Sequence, residues 1–235
     1  FDSEDEVIHW ANDSVYGLAA SIWTDDIHQA HRVAKRLQAG TGSVNTVDAL
    51  GVTTPIRELS MHTLNEHTDA ADIPALLEPL KQGRDVGLVS EAGCPAVADP
   101  GSSVVRAAHA LGARVVPLVG PVSLLLTLAA SGLNGQNFAF VGYLPQDASE
   151  RAQRVRALEA MALKTGQTQL FIETPYRNAA LWQALLQTLQ PSTQLTCAAG
   201  LTLAQASIHT RSASQWRGHA IPVDNRTPAV FAIGG

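Results

Sequence analysis

The sequence predicts an α/β protein whose main body, residues 57–235, holds two subdomains, one built on a parallel sheet and one on a mixed sheet. Two observations carry this expectation. First, a short apolar run twice ends in a Gly- and Pro-containing turn that feeds a helix-patterned segment: residues 85–89 lead to 102–111, and residues 114–119 lead to a helix starting near Ser123. Tandem units of this kind argue for parallel strands joined by right-handed crossovers. Second, the apolar runs 138–143, 168–173, 194–199, 206–211 and 229–233 are separated by turns or by helix-patterned stretches, as expected for a mixed sheet.

The elements follow in order. Residues 2–12 form an acidic, helix-compatible stretch with Val7, Ile8, Trp10 and Ala11 as its apolar positions. Residues 17–23 read as a buried strand. Residues 26–39 read as a helix with Ile27, Ala30, Val33, Ala34 and Leu37 on one face. Asp25 and Asp26 favour its start through the positive helix N-terminus, and Gly40 suits its C-cap. Residues 41–46 can form a strand. After Thr54-Pro55 the pattern changes, and residues 69–82 read as a helix. Ser123 can cap the helix that follows Gly120-Pro121. Arg151, Arg154 and Arg156 cluster with Glu150 and Glu159 on a further helix, either as a solvated, salt-bridged face or as a grip on phosphates. Thr174 is a good N-cap with Pro175 at the first helical position, and residues 179–189 continue as a helix. Thr227-Pro228 leads into the last strand.

Composition bounds the function. The chain of 235 residues has ample apolar content for a packed core. Its longest apolar run, residues 115–130, is broken by Pro117, Gly120 and Pro121, so no membrane span is expected, and no basic-then-apolar leader opens the sequence. Two distant cysteines, Cys94 and Cys197, suit a reducing, cytoplasmic setting without a disulfide. The eight histidines show no ligand constellation, so no metal is expected. Residues 1–56 carry eight acidic and three basic residues, hence the whole net charge of −5, while residues 57–235 balance thirteen against thirteen. A neutral body offers no global field for nucleic acid, so RNA binding would need a local patch.

The most informative stretch runs from Val89 through Ser90-Glu91-Ala92-Gly93-Cys94-Pro95 to Asp99-Pro100-Gly101. An apolar strand ending in such a turn before a helix presents backbone N–H groups at the carboxyl edge of a sheet, where open α/β sheets bind ligands. The run resembles the cofactor loop of the tetrapyrrole methylase-like, S-adenosylmethionine-dependent methyltransferases, in the branch related to the ribosomal small-subunit RNA ribose methyltransferases. The resemblance covers residues 57–235 and implies subdomains at 57–133 and 134–235 with a cofactor cleft between them. Residues 1–56 resemble a fragment of the aldehyde dehydrogenase catalytic domain, through the runs from Ala11-Asn12-Asp13 to Ala20 and from Gln38-Ala39-Gly40 to Asn45. That family's nucleophilic cysteine and general-base glutamate have no counterpart there, so the segment implies ancestry and no activity. The methylase family's opening strand and Gly-x-Gly-Pro-Gly-Asp loop are also missing from residues 1–56.

The methylase resemblance implies S-adenosylmethionine as cofactor, held by Ser90, Ala92, Gly93, Pro95, Gly120, Pro121, Ser123 and Thr174. Tyr143 and Arg177 would face a methyl acceptor, either RNA or a small molecule, and the family is typically homodimeric. Methyl transfer needs the nucleophile aligned with the methyl group, and a hydroxyl nucleophile can also need a base. Glu91 and Glu173 are the two candidate carboxylates. Glu173 and Arg177 can instead simply pair with each other. The competing expectation is a binding protein of the same fold that lacks catalysis because its first loop is absent.

Overall fold

The structure, a computed structural model, describes residues 3–13, 19–22, 32–33, 36, 41–44, 60–90, 93–118 and 120–235. It divides into two compact units, Phe1–Pro121 and Val122–Gly235.

In the first unit α1 (Glu4–Asn12) starts where the acidic stretch predicts. The Ser3 hydroxyl accepts the Glu6 N–H at 3.2 Å, and Glu4, Asp5 and Glu6 in the first turn complement the positive helix end. Arg36 ties back to this helix, reaching the Asp5 carboxylate at 2.6 Å, and its carbonyl accepts from Asn12 at 2.9 Å. Ile8 and Val33 are buried together, whereas Trp10, expected on the apolar face, stands exposed. Strands β1 (Ala19–Ile22) and β2 (Thr41–Val44) pair in parallel from Ala19↔Thr41 to Ile22↔Val44, within the two runs expected to be strands. The helix expected over 26–39 lies largely outside the described residues.

The single helix expected over 69–82 is two short ones, α2 (Ile73–Leu76) and α3 (Glu78–Lys81). Each has a proline at its start, and Pro79 has no N–H to give the Ala75 carbonyl, so one continuous helix cannot form. Helix α4 (Ser102–Ala110) matches expectation and packs Val104 and Ala108 against Ile73 and Leu77. The runs 85–89 and 114–118 are not strands: no sheet ladder among the described residues includes them. Val86, Val89, Val115, Val116 and Leu118 stand exposed. A strand exists only with a partner for its N–H and C=O groups, and the parallel sheet that does form, β1–β2, does not reach these runs.

The second unit holds the mixed sheet, built from all five apolar runs that predict it. Its strands β3 (Phe138–Tyr143), β4 (Thr168–Ile172), β5 (Gln194–Ala199), β6 (Ser207–Ser212) and β7 (Ala229–Gly234) lie in the order β3-β4-β7-β5-β6. Only β3 and β4 are parallel; the other pairs are antiparallel. Helix α5 (Ser123–Ser131) covers one face, where Leu124 and Leu128 meet Leu170, Val230 and Ala232. On the other face α6 (Ala148–Thr165), α7 (Asn178–Thr188) and α8 (Ala213–Trp216) bury Val155, Leu181, Trp182 and Trp216 against Phe171, Leu195, Phe231 and Ile233. With both faces covered, β7 reads as an uninterrupted apolar run instead of an alternating one.

Helix α6 begins at Asp147, whose Oδ1 accepts the N–H groups of Ser149 and Glu150 at 2.9 Å each, and ends at Gly166 with φ +70°. Its expected salt-bridged face is not found. Arg151 donates to the Gln146 carbonyl, and Glu159 is buried, its Oε1 accepting from Gln190 N at 2.8 Å and Thr193 Oγ1 at 2.6 Å. A buried carboxylate is tolerable only with such donors, and here the loop before β5 supplies them. Helix α5 starts without a side-chain cap: Val122 holds the N-cap position, and Ser123 is the first helical residue.

No helix among the described residues is long and apolar enough to cross a membrane, and Cys94 and Cys197 are both free.

Candidate functional site

The parallel pair β3–β4 defines a carboxyl edge, and the second unit gathers its polar residues there. Tyr143 closes β3 in register with Ile172, the last residue of β4. A positive φ at Gly142 accompanies a break in the ladder between Phe140 and Tyr143, which leaves the Tyr143 ring exposed at the edge. One residue past β4, the buried Glu173 turns the chain into the 3₁₀ turn Pro175–Arg177, and α7 follows directly.

Glu173 organises this turn. Its Oε1 accepts from Thr174 N at 2.8 Å, from the Thr174 hydroxyl at 3.3 Å, and from Arg177 Nε and Nη2 at 3.0 and 2.6 Å. Arg177 Nε also reaches Thr174 Oγ1 at 3.1 Å, and its guanidinium lies 5.4 Å from the centre of the exposed Tyr176 ring. The pairing weighed from the sequence is therefore present, an i,i+4 contact between a side chain with 2% exposure and one with 24%. All the hydrogen bonds to this carboxylate fall on Oε1. Thr174 holds the N-cap position of the 3₁₀ turn without capping it, because its hydroxyl is engaged with Glu173 and Arg177.

Sequence reasoning missed the loop that braces this edge from the side of β7. Asn178, fully buried at the start of α7, donates to the carbonyls of Asp224 at 3.0 Å and Thr227 at 2.9 Å, and Asn225 Oδ1 accepts the Ala179 N–H at 3.0 Å. Asp224 Oδ1 accepts from Arg226 N and Thr227 N, and these bonds hold its carboxyl below the ordinary carboxylate range. The run Asp224-Asn225-Arg226-Thr227-Pro228 is a turn signal in the sequence, but nothing local says that it meets a helix some 46 positions earlier. At the same edge Gly200 N donates to Pro228 O at 2.9 Å, and Thr202 adopts φ +72°. The Thr202 hydroxyl and Asn178 Oδ1 are buried with no hydrogen-bond partner among the described residues.

The remaining expected site residues fall in the first unit, apart from Ser123 near the start of the second. Glu91 and Ala92 lie outside the described residues. Ser90, Gly93 and Pro95 are half-buried in one loop, where Val97 N closes a turn onto Cys94 O at 3.1 Å. Gly93 has φ +78° with nothing within 4 Å of where a Cβ would stand, and Gly120 is equally open. At both glycines a ligand can approach the backbone closely. Gly101, by contrast, is closed: a Cβ there would come within 2.7 Å of Leu88. Pro121 and Ser123 are half-buried at the entry to α5. Among the described residues no three His, Cys, Asp or Glu side chains group as for a metal ion.

Comparison with known proteins separates the chain into the same two resemblances. The aldehyde dehydrogenase family model matches residues 1–56. A Pseudomonas aeruginosa protein named ribosomal RNA small subunit methyltransferase I is 36% identical over 135 residues, which cover 57% of this chain and 45% of that protein. Most of the chain is thus similar to ribosomal RNA small subunit methyltransferase I. The Escherichia coli O157:H7 methyltransferase I is 32% identical over 149 residues, covering 63% of this chain and 51% of its own length. The chain spans about half the length of the methyltransferase I relatives it matches. The crystal structure of the methyltransferase CobJ superposes with a TM-score of 0.52 at 18% identity, covering 93% of this chain and 94% of CobJ. The fold is that of the tetrapyrrole methylases, as the sequence resemblance implies.

Proposed function

We propose that the chain binds S-adenosylmethionine and transfers its methyl group to a nucleophile, with a ribose hydroxyl of ribosomal RNA as the acceptor class. The supporting observation is the identity of 32–36% to proteins named ribosomal RNA small subunit methyltransferase I over more than half the chain. When bound, the cofactor supplies a sulfonium methyl for in-line displacement. In this reading Gly93 and Gly120 admit the ligand to the backbone, and Ser90, Ala92, Pro95, Pro121, Ser123 and Thr174 line it. Tyr143 and Arg177 orient the acceptor. Glu91 or Glu173 takes the hydroxyl proton. Glu173 also fixes Thr174 and Arg177, whose bonds converge on its Oε1. A homodimeric, cytoplasmic protein extends the same reading.

Calorimetric titration with S-adenosylhomocysteine tests it. Micromolar binding that disappears in Gly93→Arg is expected, together with transfer of labelled methyl to small-subunit ribosomal RNA. Absence of binding overturns the proposal. Binding without transfer favours the second reading, a methylase-fold binding protein. Affinity for a nicotinamide dinucleotide would instead point to the aldehyde dehydrogenase-like segment.

A further inference from the structure

Strand β6 is the outer edge of the five-stranded sheet, and beside it lies a cavity of about 270 Å³. Ser207, His209 and Arg211 alternate along one face of β6 to form one wall, and Trp216 and the segment 219–222 line the rest. The Arg211 guanidinium sits 4.6 Å above the centre of the Trp216 ring. That ring is immobile: it packs edge-on against Trp182 at 5.0 Å, and its indole N–H donates to Leu195 O at 2.7 Å. His219 is fixed as well, with Nδ1 at 2.8 Å from the Gln215 carbonyl, an acceptor that requires the proton on that nitrogen.

Among the described residues Arg211 makes no ion pair, and no carboxylate lines the cavity. A cation held on a rigid aromatic floor, with its in-plane N–H groups unclaimed and no acidic neighbour, is built for an anion. Guanidinium geometry matches two oxygens of a tetrahedral phosphate, and stacking on Trp216 uses only the face of the group. We propose that this cavity is a phosphate-binding site, with Arg211 as its principal donor and the Ser207 hydroxyl and the two imidazoles around it. The phosphate comes from the diester backbone of an unpaired RNA strand or from a free phosphate ester; the volume exceeds that of the anion and leaves room for an attached sugar. The site stands independently of methyl transfer and of any cofactor.

The test follows the Trp216 indole N–H and the amides of residues 207–222 by heteronuclear NMR of the full chain, titrated with inorganic phosphate and with a short unpaired RNA. Both ligands are expected to shift this set of resonances. Arg211→Gln is expected to weaken each interaction at least about five-fold and to lower the salt slope of RNA binding by about 0.7, as for one lost phosphate contact. Arg106→Gln, on the exposed face of α4, removes the same charge elsewhere and should leave both unchanged. Shifts with RNA alone assign the diester as the source, and shifts with phosphate alone assign a free ester. Neither ligand moving these resonances, or equal losses in the two variants, overturns the site. Preserved amide dispersion in Arg211→Gln shows that any loss is not unfolding.

Discussion

The two units contain apolar runs of similar length and composition, yet the second builds five of them into one sheet while the first pairs only β1 with β2 among its described residues. In the second unit β4, β5 and β7 lie between partners on both sides and under helices on both faces. In the first unit residues 85–89 and 114–118 have the same β-branched character but join no sheet among the described residues, and Val86, Val89, Val115 and Val116 face solvent. The difference teaches that sequence sets a run's readiness to be a strand, while its neighbours decide whether it becomes one. The segment upstream of these runs pairs its own β1 with β2 instead.

Hydrogen exchange should expose this contrast most strongly. Amides of residues 169–172 and 230–233 are expected to exchange at least about 10³-fold more slowly than those of 86–89 and 115–118, because their opening approaches global unfolding. Equal protection would mean that the two runs find partners in solution. Next in size is the cost of a lost core side chain. Phe231 is fully buried, with Phe171 at 6.1 Å and Trp182 at 6.2 Å between ring centroids. Phe231→Ala is expected to cost about 3–5 kcal/mol by denaturant titration, and Val104→Ala in the small cluster of the first unit clearly less. The reverse order would place the stable core in the wrong unit.

A smaller effect sharpens the polar side of the comparison. Glu159→Ala leaves Gln190 N and the Thr193 hydroxyl without their acceptor and should destabilise by about 1–3 kcal/mol, with Glu159→Gln milder. Removing the exposed Glu66 of the first unit should change nothing measurable. The smallest effect is pH-dependent. Backbone bonds from Arg226 and Thr227 lower the Asp224 carboxyl in the folded chain, so its stabilisation is present above the ordinary carboxylate range and lost as pH falls through the lowered value. The melting-temperature gap between wild type and Asp224→Asn should therefore close in acid, and a gap constant from neutral pH to pH about 2 would refute the assignment.

Much of this was legible because it is local. Thr174-Pro175 marks the turn after β4, and the spacing of Glu173 and Arg177 announces their contact. The five strands of the second unit stand out as apolar runs between turn residues. What escaped is what a distant segment decides. Glu159 looks like a surface charge until the loop at 190–193 arrives to cap it. Asn178 acquires meaning only from the carbonyls of Asp224 and Thr227. Residues 85–89 and 114–119 carry every strand signal except the one that lies outside themselves. Pro79, which divides the helix expected over 69–82, is a local signal that reading those residues as one helix passes over.

The cysteines give the molecule an internal gauge. Cys197 sits in the middle of β5, where burial pushes its thiol up to about 12, while Cys94 is half-buried in the first unit. A thiol-trapping reagent at neutral pH therefore reads two different clocks on one chain. The earlier mark records openings of a loop, and the later one arrives only when the central sheet comes apart.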